Sequence, residues 1–191
     1  MPPGPVPRTP PLPGSGRGGG ARLVLVRQAK AVPKDRAEDF ERSLNRRGRA
    51  AAPETGRWLA QSGCLPRLVL CSPSRRTRET WELIAPALPG PPPVVYDDRL
   101  YDAGPELLGA VLAEHAAGLS ALMLVGHKSG IQGLASALCG SGPRPLLDRL
   151  RSGLATSGVL IVDLPDGWDG LTAVGPAAGA GRLTACWSPP R

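Results

Sequence analysis

Six short apolar runs, each closed off by turn or helix-breaking residues, most constrain what this chain can fold into. They are RLVLV (22–26), RLVLC (67–71), VVY (94–96), ALMLV (121–125), VLIVDL (159–164) and RLTACW (182–187). Runs of this length between breakers read as strands. Several are nearly continuous in apolar character, as strands are when both faces of a parallel sheet are covered by helices. Helical stretches lie between them at 49–61, 74–88, 105–117 and 130–138, with a shorter one at 145–151. Leu107, Leu108, Val111 and Leu112 recur at helical spacing behind Pro105, which suits a first-turn position. Pro53 and Pro86 blur the boundaries of their helices. The alternation predicts an α/β fold of three layers, α/β/α, with a mostly parallel sheet flanked by helices.

At 191 residues and 41% hydrophobic, the chain suffices for one domain with a sizeable core, expected over 21–191. Only 4% of residues are aromatic, so that core must rest on Leu, Val, Ala and the four tryptophans. Residues 1–20, MPPGPVPRTPPLPGSGRGGG, cannot bury apolar surface and are expected to form a disordered Pro/Gly leader.

The formal charge of +7 invites a nucleic-acid reading, but Arg8, Arg17 and Arg22 supply part of it at the amino-terminal end with no acid nearby. Elsewhere the arginines mostly alternate with acids, as in DRAEDFERSLNRR, and aromatic residues for base stacking are few. Nucleic acid is therefore not the expected partner. No apolar run reaches the roughly 18 residues of a membrane span, and no signal-peptide stretch opens the chain. Cys64, Cys71, Cys139 and Cys186 form no CxxC pair and have no histidine at ligand spacing. They read as free, mostly buried thiols in a reducing cytoplasm, with no metal and no cofactor expected. A monomer is expected.

In such a sheet, ligands bind beyond the carboxyl ends of the strands. The loops there carry Arg27, Gln28, Ala29 and Lys30 after the first strand, CSPSRRTRET after the second, and GHKS after ALMLV. A helix starting at Ser72 or Ser74 offers free N–H groups to an anion, and guanidinium groups match phosphate oxygens. The competing reading is a capped helix whose arginines pair with Glu79 and Glu82 on its surface. Ser129 followed three residues later by Gln132 fits a capping box that would start the next helix there. His127 lies at a strand exit beside this collection of charge, which points to a phosphate pocket.

Together LVLVRQAKA, ERSLNRRG, CSPSRRTRET, DDRLYDAGPELL and VGHKSGIQGLA, in that order, resemble the histidine phosphatase superfamily, the phosphoglycerate mutase-like fold, and within it the bacterial phosphohistidine phosphatases. The likeness runs from about residue 22 to 187. It implies that 21–191 is a histidine-phosphatase-like domain in which Arg27, Arg76 and His127 hold the phosphoryl group, with Lys128 adding charge. It also implies that the nucleophilic histidine is replaced by Gln28. Lys128 and Ser129 stand where family members carry Asn and Pro, and Ser43 where a proline is common.

An amide nitrogen has its lone pair delocalised into the carbonyl, so glutamine can hydrogen-bond a phosphate but cannot form the phosphoenzyme. The resemblance thus implies a degenerate phosphatase that binds phosphorylated protein or a small phosphoester without turnover, a pseudoenzyme on a hydrolase fold. The alternatives are an active or residually active phosphatase using direct water attack, and a basic interaction module with a vestigial pocket. The sequence identifies no acid for the leaving group; Asp102 and Glu106, in the loop and helix after DDRLY, are its two candidates, and His115 is expected on the surface.

Overall fold

The computed structural model describes residues 20–172 and 175–190, so the expected leader lies outside them apart from Gly20. Nine strands and five α-helices follow in chain order among the described residues: β1 (Ala21–Arg27), α1 (Arg46–Ser62), β2 (Leu68–Cys71), α2 (Arg75–Ile84), β3 (Val94–Tyr96), α3 (Pro105–His115), β4 (Ala121–Gly126), α4 (Lys128–Leu138), β5 (Cys139–Ser141), α5 (Arg144–Ser152), β6 (Val159–Leu164), β7 (Leu171–Thr172), β8 (Gly175–Pro176) and β9 (Gly181–Trp187). The main sheet has seven strands in the order β3-β2-β4-β1-β6-β9-β5. β3, β2, β4 and β1 are mutually parallel, and β6 runs antiparallel to both β1 and β9. The mostly parallel α/β sheet expected from the apolar runs is therefore the one formed.

The continuous apolar character of the strands follows from the two cores they serve. Leu23 and Leu25 of β1, Leu122 and Leu124 of β4, and Leu160 and Val162 of β6 face one core with Leu108, Leu112, Ile131 and Leu134 of α3 and α4. Val24 and Val26, Met123 and Val125, and Val159 and Ile161 face the other, with Trp58 and Leu59 of α1 and Trp81 and Ile84 of α2. Successive residues point to opposite faces of a strand, so both phases of the alternation must be apolar. Trp58 stacks on Trp187 with ring centroids 5.1 Å apart, closing the second core at the β9 side.

Helix α1 begins earlier than the apolar pattern indicates, because Asn45 caps it by accepting the Gly48 N–H at 2.9 Å. Gly48 has a second reason to be glycine. A Cβ there would lie 2.2 Å from the Lys30 carbonyl oxygen, so only glycine lets α1 start against the loop after β1. The Asn45 N–H also donates to that carbonyl at 2.9 Å. The motif ERSLNRRG thus ties the first helix to the end of the first strand.

Three expectations need correction. Helix α4 starts at Lys128 with His127 as its cap residue, not at Ser129, and Gln132 does not reach back to cap it. Its side chain instead accepts from Leu154 N–H just beyond α5 at 3.1 Å and donates to the Leu150 carbonyl in that helix's last turn. Leu107 is 43% exposed despite its helical spacing. Arg22, which has no acid near it in the sequence, is buried in β1 against Asp163 of β6. β5, a short edge strand of Cys, Gly and Ser, has no apolar run to announce it. Cys64, Cys71 and Cys186 are buried and Cys139 is partly so, all as free thiols. Among the described residues no helix is long and apolar enough to cross a membrane.

Candidate functional site

Three adjacent parallel strands, β2, β4 and β1, end along the same edge of the sheet, and the ladder continues past them by one residue. Gln28 N–H donates to Gly126 O at 2.9 Å, and Ser72 N–H to Val125 O at 3.1 Å. These bonds bring the loops after the three strands together. Gln28, Arg76, His127 and Lys128 line one open cleft of about 860 Å³, with Asp39, Arg42, Tyr101 and Asp102 among the other walls.

Arg76 enters the cleft from the first turn of α2, whose cap residue is Ser74. Its neighbours divide the two readings of this arginine-rich helix between them. Arg75 pairs with Glu79 at 2.9 Å on the surface, as a solvated helix would. Arg76 is 94% buried by side chain, and its Nη2 donates to His127 Nδ1 at 3.2 Å and to Asp39 Oδ2 at 3.0 Å, while Nη1 binds the Asp39 carbonyl. Its Nε–H is buried without an acceptor.

His127 closes β4 and is held on both ring nitrogens. A guanidinium can only donate, so Nδ1 must be the acceptor and Nε2 carries the hydrogen given to Ser72 Oγ at 2.8 Å. Burial lowers its pKa to about 4, and the Arg76 charge works in the same direction. The ring also meets Tyr101 edge-on at 5.4 Å. His127 is therefore neutral near pH 7, with its single lone pair engaged.

Gln28 lines the cleft, and its Oε1 is buried with no hydrogen-bond partner. Arg27, one residue earlier, does not line the cleft; its Nη1 donates to Leu154 O at 2.5 Å, and its Nε–H is buried without an acceptor. No carboxylate pairs with it among the described residues, and burial lowers its pKa. Arg76 and Arg27 thus each keep one guanidinium N–H without an acceptor, Arg76 in the cleft and Arg27 outside its lining. Helix α4 adds its amino terminus, where no side chain caps the free N–H groups.

Lys128 is exposed at the cleft wall, and Asp102 stands exposed across from it. Glu106 and His115 are not among the lining residues. The site also contains residues that sequence reasoning passed over. Asp39 and Arg42 lie within DRAEDFERSLNRR, an alternation of charge that reads as a solvated surface, yet Asp39 Oδ1 accepts from Arg42 Nη2 at 2.8 Å inside the cleft. Tyr101 donates its hydroxyl to Asp39 Oδ2 at 2.7 Å. Ser72 was read only as a possible helix start and is instead the partner of His127.

Residues 23–105 match the profile of the histidine phosphatase superfamily (branch 1). An uncharacterised protein of Mycobacterium leprae is 30% identical over 138 residues, spanning 72% of this chain and 83% of its own length. The chain belongs to the histidine phosphatase superfamily. Within it the chain is of the SixA-like type. A candidate phosphohistidine phosphatase SixA of Agrobacterium tumefaciens superposes with a TM-score of 0.72 at 29% identity, covering 88% of this chain and 98% of that one. A similar protein of Nakamurella multipartitia does so with a TM-score of 0.71 at 28% identity, covering 91% and 98%.

Proposed function

We propose that this SixA-like protein binds phosphoryl groups, borne by a phosphohistidine protein or a small phosphoester, without forming a phosphoenzyme. The observation that supports this reading is Gln28 on the cleft wall, the residue that the family resemblance sets at the nucleophile's position. Its amide has no lone pair free for attack on phosphorus. His127 does not replace it, because its one acceptor nitrogen already receives Arg76. Binding is supported by the buried guanidinium of Arg76, the unmatched Nε–H groups of Arg27 and Arg76, and the uncapped start of α4.

The test compares the protein as it stands with Gln28→His on a phosphohistidine protein and an aryl phosphate. The glutamine form is expected to bind inorganic phosphate by calorimetry yet acquire no phosphoryl adduct by intact mass. The histidine variant is expected to acquire one and to turn over. Hydrolysis by the glutamine form that disappears in Arg76→Ala would show a water-attack phosphatase instead.

A further inference from the structure

The chain between β1 and α1 makes an excursion at residues 33–42. Its base is pinned where Val32 N–H donates to Ser43 O at 2.9 Å and Ala31 bridges to Leu44. Beyond that base lie two short 3-10 turns, Lys34–Arg36 and Asp39–Glu41, neither of which contains a buried residue. Charge does more than apolar packing to bring this loop back over the cleft. The Asp39 carboxylate accepts from Arg42 Nε at 3.1 Å and Nη2 at 2.8 Å, from Arg76 Nη2 at 3.0 Å and from the Tyr101 hydroxyl at 2.7 Å. Its side chain nevertheless stays 42% exposed. The protein's own anion thus sits on the arginine that the phosphoryl site needs.

We propose that Asp39 is a specificity-determining residue of this site: a tethered internal carboxylate that a dianionic phosphoryl group can outcompete for Arg76 and a free monoanion cannot. The proposal rests on the phosphoryl-binding reading above. A tethered group acts at a high effective concentration, so a free carboxylate of equal charge cannot displace it at ordinary concentrations. A phosphoryl dianion carries twice the charge toward Arg42, Arg76 and the nearby Lys34 and Lys128, and its three oxygens can also reach donors that one carboxylate leaves unfilled. Whether the dianion pushes Asp39 aside or binds next to it, the aspartate's negative charge opposes it. Removing that charge should tighten phosphate and relax the selectivity. An aspartate that merely oriented Arg76 would have the opposite effect on removal. Asparagine keeps an acceptor oxygen toward Arg76 and Tyr101 in place of the carboxylate, and the folding of each variant is checked by denaturant unfolding before titration.

The experiment is calorimetric titration of the full chain with inorganic phosphate and with acetate at pH 8, for the wild type, Asp39→Asn, Asp39→Glu and Arg76→Ala. The wild type is expected to bind phosphate and not acetate. Asp39→Asn should bind phosphate about tenfold tighter, the scale of removing one like charge beside an anion, and begin to bind acetate. Asp39→Glu should retain the wild-type preference. Phosphate binding that is unchanged or weaker in Asp39→Asn overturns the proposal. Phosphate binding by Arg76→Ala equal to wild type would instead overturn the phosphoryl-binding reading, so the two failures are separable.

Discussion

Strand β1 ends in an arginine at each extremity, and the two have opposite circumstances. Arg22 is 6% exposed and faces Asp163 across the antiparallel pairing with β6, its Nε and Nη2 binding the two carboxylate oxygens at 2.7 and 3.0 Å. Burial pulls its pKa down, but Asp163 and Cys64 together more than offset this and the guanidinium is held charged. Arg27, five residues on, is only partly buried and has a carbonyl rather than a carboxylate for a partner. The comparison separates architecture from function within one strand: a buried cation with its carboxylate is complete, while one without it is unbalanced until an anion arrives.

Breaking the completed pair should have the largest effect. Asp163→Asn takes the carboxylate from the buried Arg22 and is expected to lower unfolding stability by about 3–5 kcal/mol, read from the denaturant midpoint. Phosphate binding at the other end of the sheet should be unchanged. A stability loss under about 1 kcal/mol would mean that Arg22 finds water, and the contrast with Arg27 would lose its basis.

Acidification probes the cleft end. His127 is held neutral in the fold with a pKa of about 4 against 6.5 when unfolded, so below pH 6.5 the unfolded chain binds the extra proton. Stability therefore falls as pH drops from 6.5 towards 4 and this contribution is fully lost below 4, a total of about 3 kcal/mol. Denaturant unfolding at pH 7, 5.5 and 4.5 should show that slope in the wild type and a shallower one in His127→Gln. Equal slopes would mean that His127 titrates alike in the folded and unfolded chain.

The smallest change in stability is expected at Arg27 itself. Arg27→Met removes an unmatched charge along with one bond to Leu154 O, so unfolding stability should shift by less than about 1 kcal/mol. The variant should, however, lose most of the thermal stabilisation that inorganic phosphate gives the wild type. A large stability loss with phosphate stabilisation intact would place Arg27 in the same class as Arg22.

Much of the site was legible because its residues follow strand ends. Once RLVLV, RLVLC and ALMLV are recognised as neighbouring parallel strands, Gln28, Arg76 and His127 must approach one another. The opposition of Arg75 and Arg76 was not legible. One turns to Glu79 on the surface and the other into the cleft, and a run of arginines does not say which is which. Gln132 escaped the sequence reading for a related reason: its spacing from Ser129 suits a cap, but the Leu150 carbonyl in the last turn of α5 and the Leu154 N–H just beyond it lie within its reach. Asp39 was hidden by its neighbours, since alternating charge looks the same whether solvated or folded back onto Arg76, 37 positions later.

The sequence by itself determined the apolar strands, their order between helices, the family and the glutamine that follows Arg27 at the end of the first strand. These are read from covalent identity and from periodicities of two and 3.6 residues, which are local. Only the tertiary structure decided which charges meet. Arg22 receives Asp163, Arg76 receives Asp39 and His127, and Arg27 receives no carboxylate among the described residues. Burial and distance set that outcome, because Coulomb and hydrogen-bond energies depend on separation in space and on exclusion of water, and neither is a property of position along the chain.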